Sequence, residues 1–372
     1  MRVGVPSEVK TDEYRVAITP AGVRELVQRG HEVSIERGAG VGSSIADAAF
    51  EAVGATMVAT AEDIWKNADL VLKVKEPIAS EYPLLSLRSN QVLFTYLHLA
   101  ASRPCTDALI DAGNVAIAYE TVRAANGSLP LLTPMSEVAG RMATMQGAHH
   151  LMRSGGGRGV LISGVPGVAR ANVVVLGAGV AGMAAATMAA GLGARVAIFD
   201  RNLDRLRQVD EHFAGRVETF AASTHAIEVA VQDADLVIGA VLVVGAKAPK
   251  LVTDAMVATM RPGSVLVDIS VDQGGCFEST RPTTHSDPVF NVHGSLFYCV
   301  ANMPGAVPAT STQALANATL PFTLELADRG WLDAARRDPA LAGGVNVVRG
   351  ALTSAPVAEA HGLSHVDLTT FF

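Results

Sequence analysis

Four polar residues fall where short apolar runs end, and their types together suit the handling of a small amino or oxo acid. Arg15 lies in Asp12-Glu13-Tyr14-Arg15-Val16-Ala17, and Lys75 closes Leu70-Val71-Leu72-Lys73-Val74-Lys75. His98 follows Phe94-Thr95-Tyr96-Leu97, and Asp272 follows Val267-Asp268-Ile269-Ser270-Val271. In an open α/β sheet, ligands gather in the loops beyond strand ends. A guanidinium grips a carboxylate through two parallel hydrogen bonds, and an ammonium adds a second, mobile cation. A histidine can move the proton that accompanies hydride transfer. Each residue also has a plain structural reading: Arg15 pairing with Glu13, Lys75 with Glu76, His98 as a half-buried imidazole, Asp272 capping a turn. Lys73 shares a strand face with Lys75 because side chains repeat every two residues, so spacing does not choose between the two lysines.

A second constellation is Val173-Val174-Val175-Leu176-Gly177-Ala178-Gly179-Val180-Ala181-Gly182. Gly177 suits the tight turn out of a strand, Gly179 a close approach of backbone to a pyrophosphate, and Gly182 close packing of helix on sheet. The phosphate would sit at a helix N-terminus, where unpaired N–H groups and the helix dipole attract an anion. Asp200 follows at the end of the next apolar run, placed to accept hydrogen bonds from ribose hydroxyls and to repel a 2'-phosphate. NAD is therefore expected over NADP, with Arg201 and Arg205 close enough in sequence to soften that preference. His149-His150 lack the i, i+4 spacing of a helical metal pair and are expected at a surface or interface; no metal site is expected.

The elements that must position these groups read as two α/β domains. Strands are expected over residues 2–6, 31–35, 68–75 and 91–96, with a helix over 20–30 that has Pro at its start and Gly at its end. Apolar positions Val138, Met142, Met145 and Leu151 recur at helical spacing, predicting a long helix over 136–152 that joins the domains and breaks at the glycines of 155–159. A parallel, doubly wound Rossmann domain follows, with strands over 172–176, 195–199, 236–240 and 265–269 and a helix over 181–192. Residues 311–329 are helical in pattern and too short to fold alone, so they are expected to return to the first domain. The expected boundaries are 1–133 with 305–372 for a discontinuous, Rossmann-like catalytic domain, and 134–304 for the NAD-binding domain.

Composition sets limits on function. The 372 residues carry a formal charge of −7 and no Lys/Arg run, which excludes an electrostatic grip on nucleic acid. Apolar types make up 49% and charged types 17%, which argues for large packed cores rather than disorder. Residues 171–194 carry no charge, yet five glycines divide them into a β-branched run and an Ala-rich run, so a strand, turn and helix are expected instead of a membrane span. The N-terminus has no apolar signal segment. Cys105, Cys276 and Cys299 are odd in number and far apart, which suits a reducing compartment, and a cytoplasmic location is expected.

In these residues the chain resembles the alanine dehydrogenase family, which includes the NAD-binding subunit of proton-translocating transhydrogenase. The resemblance runs along nearly the whole chain. It is carried by Arg15-Val16-Ala17-Ile18-Thr19-Pro20, Lys73-Val74-Lys75-Glu76-Pro77, Thr95-Tyr96-Leu97-His98-Leu99-Ala100, Pro134-Met135-Ser136-Glu137-Val138-Ala139-Gly140, residues 159–168, Asp268-Ile269-Ser270-Val271-Asp272-Gln273-Gly274-Gly275 and Ala301-Asn302-Met303-Pro304. It implies reversible NAD-dependent oxidative deamination of L-alanine to pyruvate and ammonia in a homo-oligomer, a hexamer. It also implies Arg15 and Lys75 as the substrate pair, which settles the choice of lysine, and His98 with Asp272 as the acid/base pair in a closing cleft. The implied cofactor contacts are Ser136, the 177–182 turn, Asp200, Arg205, Val241, Leu242, Ile269, Asp272, Arg281, Val300, Ala301, Asn302 and Met303. Arg205 departs from the lysine usual near the adenosine end, and Ala222 from an expected serine. The alternatives are a transhydrogenase-like NAD(H) subunit that docks on a membrane partner, or another amino-acid oxidoreductase of this fold, of the opine- or saccharopine-forming kind.

Overall fold

The computed structural model describes residues 1–241 and 248–372. Two compact units emerge: Met1–Met135 with Gly305–Phe372, and Ser136–Pro304. The chain runs through β1 (Arg2–Val5), β2 (Glu32–Glu36), β3 (Thr56–Val58), β4 (Leu70–Leu72), β5 (Val92–Thr95) and β6 (Val115–Ala118) in the first unit. The second unit holds β7 (Asn172–Leu176), β8 (Arg195–Asp200), β9 (Glu218–Ala221), β10 (Leu236–Gly239), β11 (Val265–Asp268), β12 (Val289–Val292) and β13 (Ser295–Tyr298). The first unit is completed by β14 (Val345–Val348) and β15 (Ala351–Leu352).

The first sheet has the order β15-β14-β6-β5-β4-β1-β2-β3, parallel from β6 to β3 with β14 and β15 antiparallel at one edge. Strands β4, β5 and β6 are buried on both faces, which is why they read as unbroken apolar runs rather than alternating ones. The chain passes outward from β1 to β3 and then returns to the other side of β1 as β4. Loops leaving β1 and β4 therefore turn to opposite faces and open a crevice beyond their carboxyl ends.

One expected strand is shorter than its pattern. Residues 68–75 read as a continuous strand, but β4 stops at Leu72 because the Glu8 carboxylate accepts the N–H groups of Val74 (2.6 Å) and Lys75 (3.3 Å). The C-terminal helix Pro308–Arg337 belongs to the first unit, where Thr312 Oγ1 accepts the N–H of Val16 at 3.1 Å. Its helical dihedrals break at Gly330 (φ 75°, ψ 159°), one residue past the expected helical stretch.

The second sheet has the order β12-β13-β11-β10-β7-β8-β9, parallel throughout except for β12 against β13. Its order reverses between β7 and β10. The charge-free stretch becomes β7 and the helix Val180–Gly191, whose Ala184, Ala185, Ala186 and Ala189 are buried. No described helix is long and apolar enough to cross a membrane. His150 lies buried, against the expectation for the 149–150 pair: its Nδ1 is 2.9 Å from the Gly155 carbonyl and its ring packs 5.6 Å from Tyr298. The ring packs inward because the helix Thr133–Leu151 ends there and the 3-10 turn Arg153–Gly155 that follows supplies a carbonyl for the imidazole. His149 is exposed, as expected for its half of the pair.

Small residues allow the helices Thr133–Leu151 and Val180–Gly191 to meet closely. A Cβ on Gly140 would lie 2.1 Å from the Ala181 carbonyl oxygen and 2.8 Å from Ala184 Cβ, whereas one on Gly191 would meet open space. Gly140→Ala is expected to destabilise the protein by about 1–3 kcal/mol through overpacking. Gly191→Ala is expected to stabilise it by roughly 0.5 kcal/mol through helix propensity. Chemical unfolding of the two variants beside the parent checks the opposite signs.

Candidate functional site

In the first unit, Arg15 lies in the loop after β1, Lys75 in the loop after β4 and His98 in the loop after β5, three adjacent strand ends. Carboxylates hold all three loops. Glu13 grips the Arg15 guanidinium through two parallel bonds, Nε to Oε1 at 2.7 Å and Nη2 to Oε2 at 2.5 Å, with both side chains almost wholly buried. The bidentate fork expected to meet a ligand is thus engaged by Glu13, and Nη1 lies 3.0 Å from Met135 Sδ.

Lys73 and Lys75 do not share a strand face, since both lie beyond the end of β4. Lys73 is fully buried, its Nζ 2.8 Å from Glu81 and 3.1 Å from Glu8. Burial favours the neutral amine, but the two carboxylates outweigh it and hold the Lys73 pKa above its ordinary value. Lys75 is also buried, and its carbonyl accepts Thr95 Oγ1 at 3.0 Å, tying the loop after β4 to β5.

His98 adopts a left-handed backbone (φ 48°, ψ 36°), a conformation that costs a non-glycine residue about 1–2 kcal/mol. The Glu120 carboxylate secures it by accepting the N–H groups of His98 (2.6 Å) and Leu97 (3.2 Å). The ring stacks on Tyr96 with centroids 5.8 Å apart, and its Nδ1 is 3.2 Å from Glu76 Oε2. Glu76 also pairs with Lys10. Burial works against ionising the Glu76 carboxyl, yet the hydrogen bond from His98 and the nearby charges of Lys75 and Lys10 hold it well below the usual range. Burial raises the Tyr96 hydroxyl, which stays protonated and donates to the Leu131 carbonyl at 2.5 Å.

In the second unit, a Cβ on Gly177 (φ 103°) would meet the Ala240 carbonyl oxygen at 2.7 Å, and one on Gly182 would lie 1.8 Å from the Gly177 carbonyl oxygen. Neither position admits a side chain. A Cβ on Gly179 would meet nothing within 4 Å, and this open residue caps the helix that begins with Val180 and Ala181. Backbone closed beneath and open above, at a helix N-terminus, fits a pyrophosphate. Asp200, at the end of β8, accepts the N–H of Ala178 at 2.7 Å and that of Asn202 at 2.8 Å, so its carboxylate also holds the glycine turn in place.

Val241 lies beside Gly177 and accepts Ser270 Oγ at 2.7 Å, while Ile269 donates to the Gly239 carbonyl at 2.9 Å. Gly177, Asp200, Val241 and Ile269 thus share the carboxyl edge of this sheet. Asp272 is exposed on the 3-10 turn Val271–Gln273 after β11. The remaining expected contacts make other local interactions. Arg205 reaches Gln208 at 3.1 Å, and the Arg281 guanidinium stacks 4.1 Å over the Phe290 ring. Val300 pairs with Thr283, Ala301 donates to the Thr283 carbonyl, Asn302 is left-handed (φ 60°) and Met303 is buried. Ser136 is half-buried on the helix Thr133–Leu151, and Leu242 lies outside the described residues.

Four supporting carboxylates, Glu8, Glu81, Glu120 and Asp268, escape the sequence reading. Glu120 follows β6, a strand that reading does not assign; with Val115–Ala118 taken as a strand, the strand-end rule selects it. Glu8 gives no pattern signal, because its partners arrive from 65 or more residues away. Asp268 sits inside a motif already singled out. It is buried and accepts Ser270 N–H (3.0 Å), Cys276 N–H (2.9 Å) and Thr280 Oγ1 (2.5 Å), pinning the turn that carries Asp272.

Comparison with known proteins gives a consistent picture. Residues 4–139 match the profile of the alanine dehydrogenase/PNT N-terminal domain, and residues 143–355 match that of the C-terminal domain. The alanine dehydrogenase of Mycobacterium tuberculosis is 62% identical over 367 residues, covering 99% of this chain and 98% of that protein. A solved L-alanine dehydrogenase superposes with a TM-score of 0.93 at 51% identity, covering 97% of this chain and 99% of that one. The transhydrogenase structure from Sinorhizobium meliloti has a TM-score of 0.80 at 27% identity, covering 95% of this chain and 99% of that one.

The double duty of Asp200 generates a prediction. Asp200→Ala is expected to weaken NADH binding, because the Ala178 N–H loses its acceptor, and to raise NADPH affinity relative to NADH by about tenfold or more, because an anion that repels the 2'-phosphate is gone. Fluorescence titration with both nucleotides measures the ratio; an unchanged ratio would place ribose discrimination elsewhere.

Proposed function

The chain belongs to the alanine dehydrogenase/PNT family, and from that membership we propose that it catalyses the reversible NAD-dependent oxidative deamination of L-alanine. L-alanine, NAD+ and water give pyruvate, ammonium, NADH and a proton. The observation that carries this reading is the strand-end set of Arg15, Lys75 and His98, two cations and a proton carrier that a protein only binding nucleotide would not use on a substrate.

Bound NAD supplies the hydride acceptor. Gly177, Gly179 and Gly182, with Val180 and Ala181 at the helix start, would hold its pyrophosphate, and Asp200 its adenosine ribose. The resemblance adds Ser136, Arg205, Val241, Leu242, Ile269, Asp272, Arg281, Val300, Ala301, Asn302 and Met303 to the cofactor contacts. Arg15 and Lys75 bind the substrate carboxylate and its carbonyl oxygen, converting a bimolecular encounter into an oriented one. Lys75 also stabilises negative charge developing on oxygen as the carbinolamine collapses. His98 accepts a proton from the water that adds to the iminium carbon and returns a proton during release of ammonia. Asp272 completes the acid/base pair and shares these proton transfers.

The proposal extends to a homohexamer working in the cytoplasm. The hexamer rests on the family resemblance, and the reducing compartment on three cysteines that are all free and buried.

Purified protein given L-alanine and NAD+ is expected to produce NADH. His98→Ala and Asp272→Asn are each expected to lower turnover by about 10²- to 10⁴-fold with NADH binding retained. Retained turnover in both variants would remove the acid/base assignment. Tight NADH binding without turnover of any amino acid would instead favour a transhydrogenase-like subunit.

A further inference from the structure

Glu76 directly follows Lys75, so one loop delivers both a proposed substrate ligand and a carboxylate to the neighbourhood of His98. The Glu76 side chain is 14% exposed, and its Oε2 lies 3.2 Å from His98 Nδ1. An ionised carboxylate only accepts hydrogen bonds, so the Nδ1 facing it must carry the proton. Although burial opposes it, Glu76 is kept ionised first by the hydrogen bond from His98 itself and then by the charges of Lys75, its neighbour in sequence, and of Lys10, with which it pairs. Two other groups beside His98 are committed elsewhere. Glu120 spends its oxygens on the backbone N–H groups of Leu97 and His98, and the Tyr96 hydroxyl donates to the Leu131 carbonyl while its ring covers a face of the imidazole. Pro77 restricts the backbone of Glu76 to extended conformations, which limits the side chain's freedom to leave.

We propose that Glu76 is a positioning residue for the reaction: it accepts the Nδ1–H of His98, fixes the imidazole tautomer, and so leaves the lone pair on Nε2 as the site that exchanges protons with water. Glu120 and Glu76 then divide the task. Glu120 fixes the backbone of His98, and Glu76 fixes the orientation and protonation of its ring. This inference rests on the proton-handling role proposed above for His98.

The test combines a spectroscopic and a kinetic readout. In protein labelled with [15N]histidine, with the His98 signals assigned by their loss in His98→Gln, wild-type His98 is expected to show a protonated Nδ1 and an unprotonated Nε2 at neutral pH. The reverse tautomer would overturn the proposal, and this measurement needs no variant at Glu76 to fold. Glu76→Gln, whose neutral amide both donates and accepts and so no longer dictates the tautomer, is expected to lower kcat per NADH-binding site by about 10- to 100-fold with KM for L-alanine little changed. Glu76→Asp should recover part of the loss. A merely structural role would reduce the fraction of NADH-binding sites and leave kcat per site at the wild-type value, which overturns the proposal. Wild-type protein that shows the expected tautomer but turns over no L-alanine would sink the functional reading while leaving the Glu76–His98 pairing in place.

Discussion

Five carboxylates, Glu8, Glu13, Glu76, Glu81 and Glu120, underlie the carboxyl edge of the first sheet, and the placement of its basic side chains follows from them. Burying an ammonium or guanidinium without a partner costs several kcal/mol, and removing one member of a buried pair is costlier than never having made it. Lys73 is held by Glu8 and Glu81, Arg15 by Glu13, and His98 by Glu76 and Glu120. Glu8 also ends β4 by taking two backbone N–H groups that a longer strand would have committed to its neighbours. The same interaction therefore sets the length of a strand and the position of Lys75 beyond it.

The second unit solves a related problem with fewer charges. Its edge must present backbone N–H groups to an anion, so glycines supply the close approach and acidic residues fix the turns. Asp200 secures the glycine turn through Ala178, and Asp268 secures the turn bearing Asp272. In both units the working groups leave strands near the place where sheet order reverses, between β1 and β4 in one and between β7 and β10 in the other.

Much of this was legible in the chain, for identifiable reasons. Strands buried on both faces leave apolar runs, and the glycine fingerprint carries its own local context, so both α/β units and the turn at Gly177 could be read directly. Legibility failed where a partner comes from far along the chain. The end of β4 depends on Glu8, some 65 residues away, and nothing local in Lys73-Val74-Lys75 betrays that the alternation stops. His150 turns inward because the Gly155 carbonyl in the turn after its helix and the Tyr298 ring receive it, an arrangement that residue type does not encode. Glu120 was hidden for a simpler reason: the four-residue strand preceding it is short and half alanine.

The central claim is that buried carboxylates, rather than the ligand, set the positions of the cations that receive it. Calorimetric titration of pyruvate into the NADH-loaded Glu13→Gln variant tests it most directly, because Glu13 touches Arg15 through both arms of its fork. The account predicts pyruvate affinity lower by about tenfold, roughly 1.4 kcal/mol, with NADH affinity unchanged. Pyruvate affinity equal to that of the parent protein would contradict it.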